Sequence, residues 1–191
     1  MMKAETSVEI HELLATRRSP RSLDATAMLS RDDLLAILEA ARWAASANNG
    51  QPWRFFVGVR ADEVFNQILD SLVSFNQGWA HRSAALILVA GVHTREDGSV
   101  NNTFQYDCGL AVSQMVIETH HRGFVAHQMT GFDSEKMIAN LGIDPSLTPV
   151  AVISIGKQAP AEQLQGGMLE RENAPRERKA LEAIVIKGLP S

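Results

Sequence analysis

The chain has 191 residues, of which 45% are hydrophobic and 21% charged, and its formal net charge is −4. These proportions are typical of a globular protein and exclude disordered or collagen-like chains, while the acidic balance gives no general attraction to nucleic acids or anionic membranes. The single cysteine, Cys108, excludes an intrachain disulfide framework, and no apolar run approaches the ~20 residues that span a bilayer. Since the first residues do not have the pattern of a secretory signal, we expect one cytoplasmic domain over residues 1–191.

The first half of the chain predicts three helices and one strand. Apolar residues at helical spacing favour helices over residues 7–16 and 62–73, and a strand is predicted over 55–59. Ser30, with Asp33 three residues later, is typical of the N-terminus of a further helix. The apolar face of that helix is formed by Leu34, Ile37, Leu38 and Ala41.

The second half alternates strands with helices and ends in a charged tail. Strands are predicted over 85–92, 124–129 and 149–155, and helices over 103–121 and 134–141. This alternation makes the fold class α/β or α+β. The tail is polar and charged from Ala159 to Lys179 and apolar again over 181–186. We therefore expect an arm, from about 159 to 191, that docks elsewhere, for example on a partner subunit.

Three arginines lie within five residues just after the first predicted helix, at Arg17, Arg18 and Arg21. Guanidinium groups at this spacing repel each other unless an anion or solvent separates them. Their planar fork of donors suits phosphate oxygens, and Ser19 adds a hydroxyl donor. The alternative is a solvated basic turn, which the C-terminus of a helix favours.

A polar loop, residues 46–53, joins the second helix to the first strand. The amides of Asn49 and Gln51 offer both donors and acceptors, which suit the edge of a heterocycle carrying N–H and C=O groups. Alternatively the loop is an ordinary turn, with Asn-Gly supplying a positive φ and Pro52 starting the strand. That alternative leaves Gln51 and Trp53 unexplained.

A second basic segment near the C-terminus contains Arg176 and Arg178. Taken alone it favours a solvated charged surface, because acidic residues surround it, namely Glu170, Glu172 and Glu177. The histidines are not spaced as metal ligands on a helix, so we expect no metal site. The glycine-rich loops that bind dinucleotides and triphosphates are absent from the sequence.

Taken in order, these segments resemble the FMN-dependent nitroreductase family. The resemblance begins with Arg17–Arg21 and the Ser-x-x-Asn-x-Gln-Pro-Trp motif that starts at Ser46. It continues through Tyr106–Ala111 and Gln128–Asp133 and closes with Pro175–Lys179. The matching motifs span about residues 8–186, nearly the whole chain.

The resemblance implies an α+β, nitroreductase-like fold in which helices wrap a mixed, mainly antiparallel sheet. It implies a homodimer in which the C-terminal arm of each subunit crosses to the other and FMN lies at the interface. The implied partners are small molecules, with neither nucleic acid nor membrane among them.

The resemblance also implies the residues that bind FMN. Arg17, Arg18 and Ser19, with Arg176 and Arg178, would hold the phosphate. Arg21 would lie toward the pyrimidine end, where a cation stabilises negative charge on the reduced flavin at N1 and O2. Asn49 would come from the partner subunit. The other implied cofactor contacts are Gln51, Gln128, Met129, Thr130 and Gly131, the last three along one ring face. Two departures stand out: Thr130 replaces the Glu of some members, and residues 189–191 lack the aromatic residue of many relatives.

The implied activity is ping-pong hydride transfer from NAD(P)H through flavin N5 to a nitroaromatic, quinone or enone, with no dedicated catalytic acid or base. Three aromatic residues could line a substrate pocket, although packing explains them as well: Phe75, Trp79 and Phe104. Two alternatives stay open within the same fold. One is a different small-molecule reaction, such as dehalogenation or the reduction of aldehydes and enones; the other is a flavin-binding or sensing protein without turnover. Nucleic-acid binding through the arginines is a third, which the acidic net charge disfavours.

Overall fold

The computed structural model describes residues 3–188, which form a four-stranded sheet covered by helices on both faces. The strands are β1 (Trp53–Val59), β2 (Ala85–Val92), β3 (Val125–Met129) and β4 (Leu147–Gly156). Their order is β1-β2-β4-β3, and each neighbouring pair is antiparallel. The predicted α+β class is confirmed. The parallel pair that a mixed sheet requires is not formed among the named strands of residues 3–188.

Eight α-helices surround the sheet in the described part of the chain. They are α1 (Glu12–Thr16), α2 (Arg31–Arg42), α3 (Glu63–Ser71), α4 (Ser74–Ala80), α5 (Phe104–His121), α6 (Ser134–Leu141), α7 (Gly167–Asn173) and α8 (Leu181–Ile184). None of these helices is both long and apolar enough to cross a bilayer.

The buried strand β2 divides the core in two, because successive side chains of a strand point to opposite faces. Ile87 and Val89 pack in a cluster with α2 and α5, whereas Leu86 and Leu88 pack in a second cluster with α3, α4 and α6. All four side chains are fully buried. The apolar run predicted as a strand is therefore covered on both faces.

The helices predicted best are those with local start and stop signals. Ser30 Oγ accepts a hydrogen bond from the Asp33 amide at 3.0 Å and starts α2, as the sequence predicts. Gly123 follows the end of α5 with a φ of +71°, a conformation that glycine adopts without strain.

The first helix is shorter than the predicted range, residues 7–16, and the predicted start was wrong. α1 begins only at Glu12, after His11 accepts the Leu13 amide hydrogen bond at its N-terminus. The Ala4 amide donates to the Ala15 carbonyl at 2.8 Å, so the preceding segment folds back beside α1 instead of extending it. The apolar residues that suggested a longer helix lie on the surface of this chain, Val8 being 63% exposed.

The beginning of the predicted C-terminal arm packs against its own chain. Leu164 is buried in the second cluster, and Gln163 Nε2 donates to Ser22 Oγ and to the Leu23 carbonyl, both at 2.8 Å. The apolar run at its end stays exposed, with Ile186 90% accessible. Docking of this end on a partner stays a prediction, and residues 189–191, where the missing aromatic was noted, lie outside the described residues.

Candidate functional site

The segment Arg17–Arg21 runs along the edge strand β3. Arg17 Nη1 donates to Ser19 Oγ at 3.0 Å, and Ser19 Oγ in turn donates to Gln128 Oε1 of β3 at 3.3 Å. His127 Nδ1 lies 3.2 Å from the Pro20 carbonyl, which only accepts, so this ring nitrogen carries the proton. These contacts fix the arginine segment against the sheet.

Helix α7 and the residues after it hold the same segment from the other side. The Glu172 carboxylate accepts a hydrogen bond from the Arg21 amide at 2.8 Å, and the Glu172 carbonyl accepts one from Arg18 Nη2 at 2.7 Å. Arg176 Nη1 donates to the Ala15 carbonyl, near the end of α1, at 2.7 Å. The two basic segments, far apart in sequence, are thereby brought together.

The guanidinium groups of these two segments form a cluster in which positive charges outnumber nearby negative ones. Burial and the charges of Arg176 and Arg178 lower the pKa of Arg17 below its usual value. Burial, then the charges of Arg178 and Arg18, lowers the pKa of Arg176 in the same way. Arginines stay charged in proteins, so mutual repulsion of this kind favours the binding of an anion between them.

Arg21 differs from Arg17, Arg18 and Arg176, whose guanidinium groups donate hydrogen bonds to the Ser19 hydroxyl or to backbone carbonyls. Its Nε is buried and has no hydrogen-bond partner, and the group lies 5.8 Å from the centre of the Phe75 ring. The four ion pairs found in residues 3–188 do not include Arg21. A buried donor without an acceptor costs free energy, so this position suits an acceptor atom of a ligand.

His127 and Trp79 support the arginine segment from within the fold. Their ring centres lie 4.7 Å apart, and Trp79 is fully buried. Burial, together with the positive charge of Arg21, lowers the pKa of His127 to about 4, so the ring is neutral at pH 7. No local pattern in the sequence indicates this role of His127, because the histidine spacing bears only on metal binding. In the described part of the chain, no group of three acidic, His or Cys side chains could hold a metal.

The end of β3 exposes alternate side chains beside the arginines. Gln128 and Thr130 are exposed, whereas Met129 is 4% exposed and packs in the core. The Gly131 carbonyl accepts hydrogen bonds from the Val73 amide at 3.1 Å and from Asn76 Nδ2 at 3.0 Å. A Cβ at position 131 would lie only 2.9 Å from Asn76 Nδ2, so α4 approaches closely because this residue is glycine.

The polar loop before β1 is a strained turn held by a buried carboxylate. Asn48, Asn49 and Gln51 have φ values of 52°, 54° and 44°, which non-glycine residues seldom adopt. Ser46 Oγ accepts a hydrogen bond from the Gln51 amide at 3.0 Å, and Asp107 Oδ1 accepts one from the Ala47 amide at 3.2 Å. Asp107 is 2% exposed, and the sequence pattern alone indicates no role for it.

The polar loop and the arginine segment lie at opposite edges of the sheet. Gln128 of β3 pairs with Ile153 of β4, so β3 forms one edge of the sheet. The other edge is β1, which pairs with β2. Three strand spacings put these edges about 14 Å apart, and the loop precedes Trp53, the first residue of β1. A single chain therefore does not bring Asn49 and Gln51 to the arginines.

The three aromatic candidates for a substrate pocket occupy different environments. Phe75 is 38% exposed, and the guanidinium groups of Arg21 and Arg171 lie 5.8 and 5.3 Å from the centre of its ring. Trp79 is buried, and Phe104 packs closely over Gly91, whose added Cβ would lie 2.4 Å from Phe104 Cδ2. The burial of Trp79 and the close contact of the half-buried Phe104 with Gly91 favour the packing role that the sequence left open.

Comparison with solved structures defines the class of fold. A crystal structure described as an oxidoreductase containing FMN superposes with a TM-score of 0.91 at 28% identity, covering 98% of this chain and 96% of that one. The sequence model of the nitroreductase family matches residues 14–75 and 59–157. The chain therefore belongs to the nitroreductase family.

Two relatives extend the comparison. The chain is 27% identical over 188 residues to the CLA biosynthesis enone reductase of Lactiplantibacillus plantarum, covering 79% of this chain and 86% of that protein. It is 34% identical over 96 residues to the major NAD(P)H-flavin oxidoreductase of Aliivibrio fischeri, covering 48% of this chain and 43% of that protein.

Proposed function

We propose that this chain is an NAD(P)H-dependent FMN oxidoreductase that acts as a cytoplasmic homodimer. The observation that carries the proposal is the convergence of Arg17, Arg18 and Arg176 on one site, beside the unpartnered Nε of Arg21. Family membership and the FMN-containing structural neighbour support the choice of cofactor.

The residues present fit both ends of FMN. A phosphate monoester carries almost two negative charges at pH 7, which the clustered guanidinium groups and the Ser19 hydroxyl would bind. Four residues of extended chain span at most about 14 Å, so the same segment could place Arg21 at the pyrimidine end of the ring. Gln128, Thr130 and the Gly131 backbone lie at the end of β3 for further contacts, whereas the buried Met129 would contribute its backbone.

FMN, when bound, supplies two-electron transfer from NAD(P)H to an acceptor such as a nitroaromatic, quinone or enone. The enone reductase among the relatives supports the last of these acceptors. The protein binds and orients the cofactor, and the cation of Arg21 favours negative charge at the adjacent ring edge. Because the pKa of His127 lies near 4, this histidine is a poor proton donor at pH 7, and we assign no dedicated catalytic acid or base.

A second copy of the chain would complete the site. Asn49 and Gln51 lie at the sheet edge away from the arginines, so we infer that they contact the cofactor held by the arginines of another chain. An open groove of about 780 Å³ lies between the N-terminal segment and α8. Arg17, Arg176 and Arg178 line one part of it, and another part is lined by apolar side chains, namely Val8, Ile10, Leu14, Leu181 and Ile184. Association of two chains would cover these exposed side chains.

The first experiment is the visible absorption spectrum of the purified protein, followed by anaerobic addition of NADH and then NADPH. We expect a two-banded yellow spectrum that at least one donor bleaches, because a bound flavin must accept hydride in this function. A yellow protein that neither donor bleaches would favour flavin binding without turnover. A colourless protein that takes up no added FMN would refute the proposal.

The phosphate role is tested by Arg17→Ala with FMN and riboflavin, which differ by the phosphate. Loss of a charge-assisted hydrogen bond costs about 1.5–3 kcal/mol, so we expect FMN to bind about 10- to 100-fold more weakly and riboflavin to be unaffected. Arg31→Ala removes the same charge from an exposed position on α2 and serves as the control. Equal weakening of both ligands would contradict a phosphate contact.

A further inference from the structure

Glu172 is one of only two buried carboxylates in the described residues, the other being Asp107. It is 5% exposed and lies near the end of α7. A charged carboxylate is buried at a high cost unless it is hydrogen-bonded or paired, so its partners indicate what its burial achieves.

The partners of Glu172 belong to the arginine segment, but they are not the guanidinium of Arg21. Glu172 Oε2 accepts the Arg21 amide hydrogen at 2.8 Å, while Oε1 is buried without a partner. The Glu172 carbonyl accepts Arg18 Nη2, which joins the same helix residue to the arginine segment twice. The carboxylate thus fixes the backbone of Arg21 and leaves its side chain unpaired.

The side chain of Arg21 is nevertheless confined. Its guanidinium lies 5.8 Å from the centre of the Phe75 ring, and Arg171 approaches the same ring at 5.3 Å. The negative charge of Glu172 is near enough to raise the pKa of Arg21, although burial lowers that pKa more. Arg21 is therefore a fixed cation whose field is partly offset by a buried anion.

We propose that Glu172 is a positioning residue for Arg21 and that its charge lowers the affinity of the site for reduced flavin. The backbone hydrogen bond holds Arg21 in place, and the carboxylate limits the stabilisation that this cation gives to negative charge on the reduced ring. This inference rests on the proposed function, since it assigns Arg21 to the flavin site.

The test is the midpoint potential of bound FMN in Glu172→Gln, measured by anaerobic redox titration. Glutamine keeps an oxygen that accepts the Arg21 amide hydrogen and removes the negative charge. We expect reduced flavin to bind about tenfold more tightly relative to oxidised flavin, which for a two-electron couple raises the potential by ~30 mV. Arg21→Ala is expected to shift the potential in the opposite direction, because it removes the cation.

Glu170→Gln is the matched control, since Glu170 lies on the same helix, carries the same charge and is exposed. We expect this variant to change the ratio of affinities less than twofold, because solvent screens an exposed charge. Equal shifts in the two variants, or a lower potential in Glu172→Gln, would overturn the proposal.

Two further outcomes keep the test decisive. Glu172→Asp tests the positioning role separately, because it keeps the charge but shortens the side chain and weakens the hydrogen bond to the Arg21 amide. We expect reduced flavin to bind more weakly relative to oxidised flavin in this variant, and an unchanged ratio would overturn the positioning role. Failure of the wild-type protein to bind any flavin would refute the proposed function itself. If the wild-type protein binds flavin but Glu172→Gln leaves the midpoint potential unchanged, this inference alone is refuted.

Discussion

At the scale of single residues, the arginine segment depends on a neutral histidine beneath it. His127 donates to the Pro20 carbonyl through Nδ1 and packs against Trp79 with the two rings tilted, and its pKa is lowered from 6.5 to about 4 by burial and neighbouring cations. In the unfolded chain this histidine takes up a proton near pH 6.5, whereas in the folded protein it resists protonation until about pH 4. Between these values the unfolded state binds more protons, so stability falls as the pH falls.

We therefore predict that the titration of His127 lowers the free energy of unfolding by up to about 2 kcal/mol when the pH falls from 7 to 5. Urea unfolding at both pH values measures this loss. His127→Gln should lose less over the same interval, because glutamine does not titrate. His121→Gln, at an exposed position, should behave as the wild-type chain. An unchanged pH dependence in His127→Gln would contradict a neutral buried histidine.

At the scale of elements, the sequence predicts the helices whose signals are local and misses those held by distant contacts. α2 and α6 have aspartate or serine N-caps, at Ser30 and Asp133, and an apolar face, and the predicted range of α6 matches its observed bounds. α4 and α7 lack a side-chain cap and went unpredicted. α4 is held through the Gly131 carbonyl, and α7 through core packing and the contacts of Glu172.

The same distinction applies to the candidate site. The arginine motif after α1 is visible in the sequence, but its meeting with Arg176 joins residues more than 150 positions apart, which no local pattern predicts. Only the resemblance to a family indicated that the two segments act together. The supporting roles of His127, Asp107 and Glu172 were missed because each depends on a backbone amide or carbonyl contributed by another element.

At the scale of the whole molecule, the fold separates two groups of polar residues that the proposed cofactor site needs together. The arginines lie beside β3 and the Asn49 loop precedes β1, at opposite edges of the sheet. In a symmetric dimer, each site would combine the arginines of one chain with the loop of the other. The resemblance implies this arrangement, and the separation within one chain supports it.

Mixing two damaged chains tests whether the site is shared. Arg17→Ala damages the arginine cluster, and the double variant Asn49→Ala with Gln51→Ala damages the loop, so each homodimer should bind FMN weakly. Refolded together, half of the dimers are mixed, and one of the two sites in each combines an intact cluster with an intact loop. We predict that about a quarter of all sites regain wild-type FMN affinity, measured by fluorescence titration. If each site lies within one chain, every site keeps one lesion and mixing restores none of them.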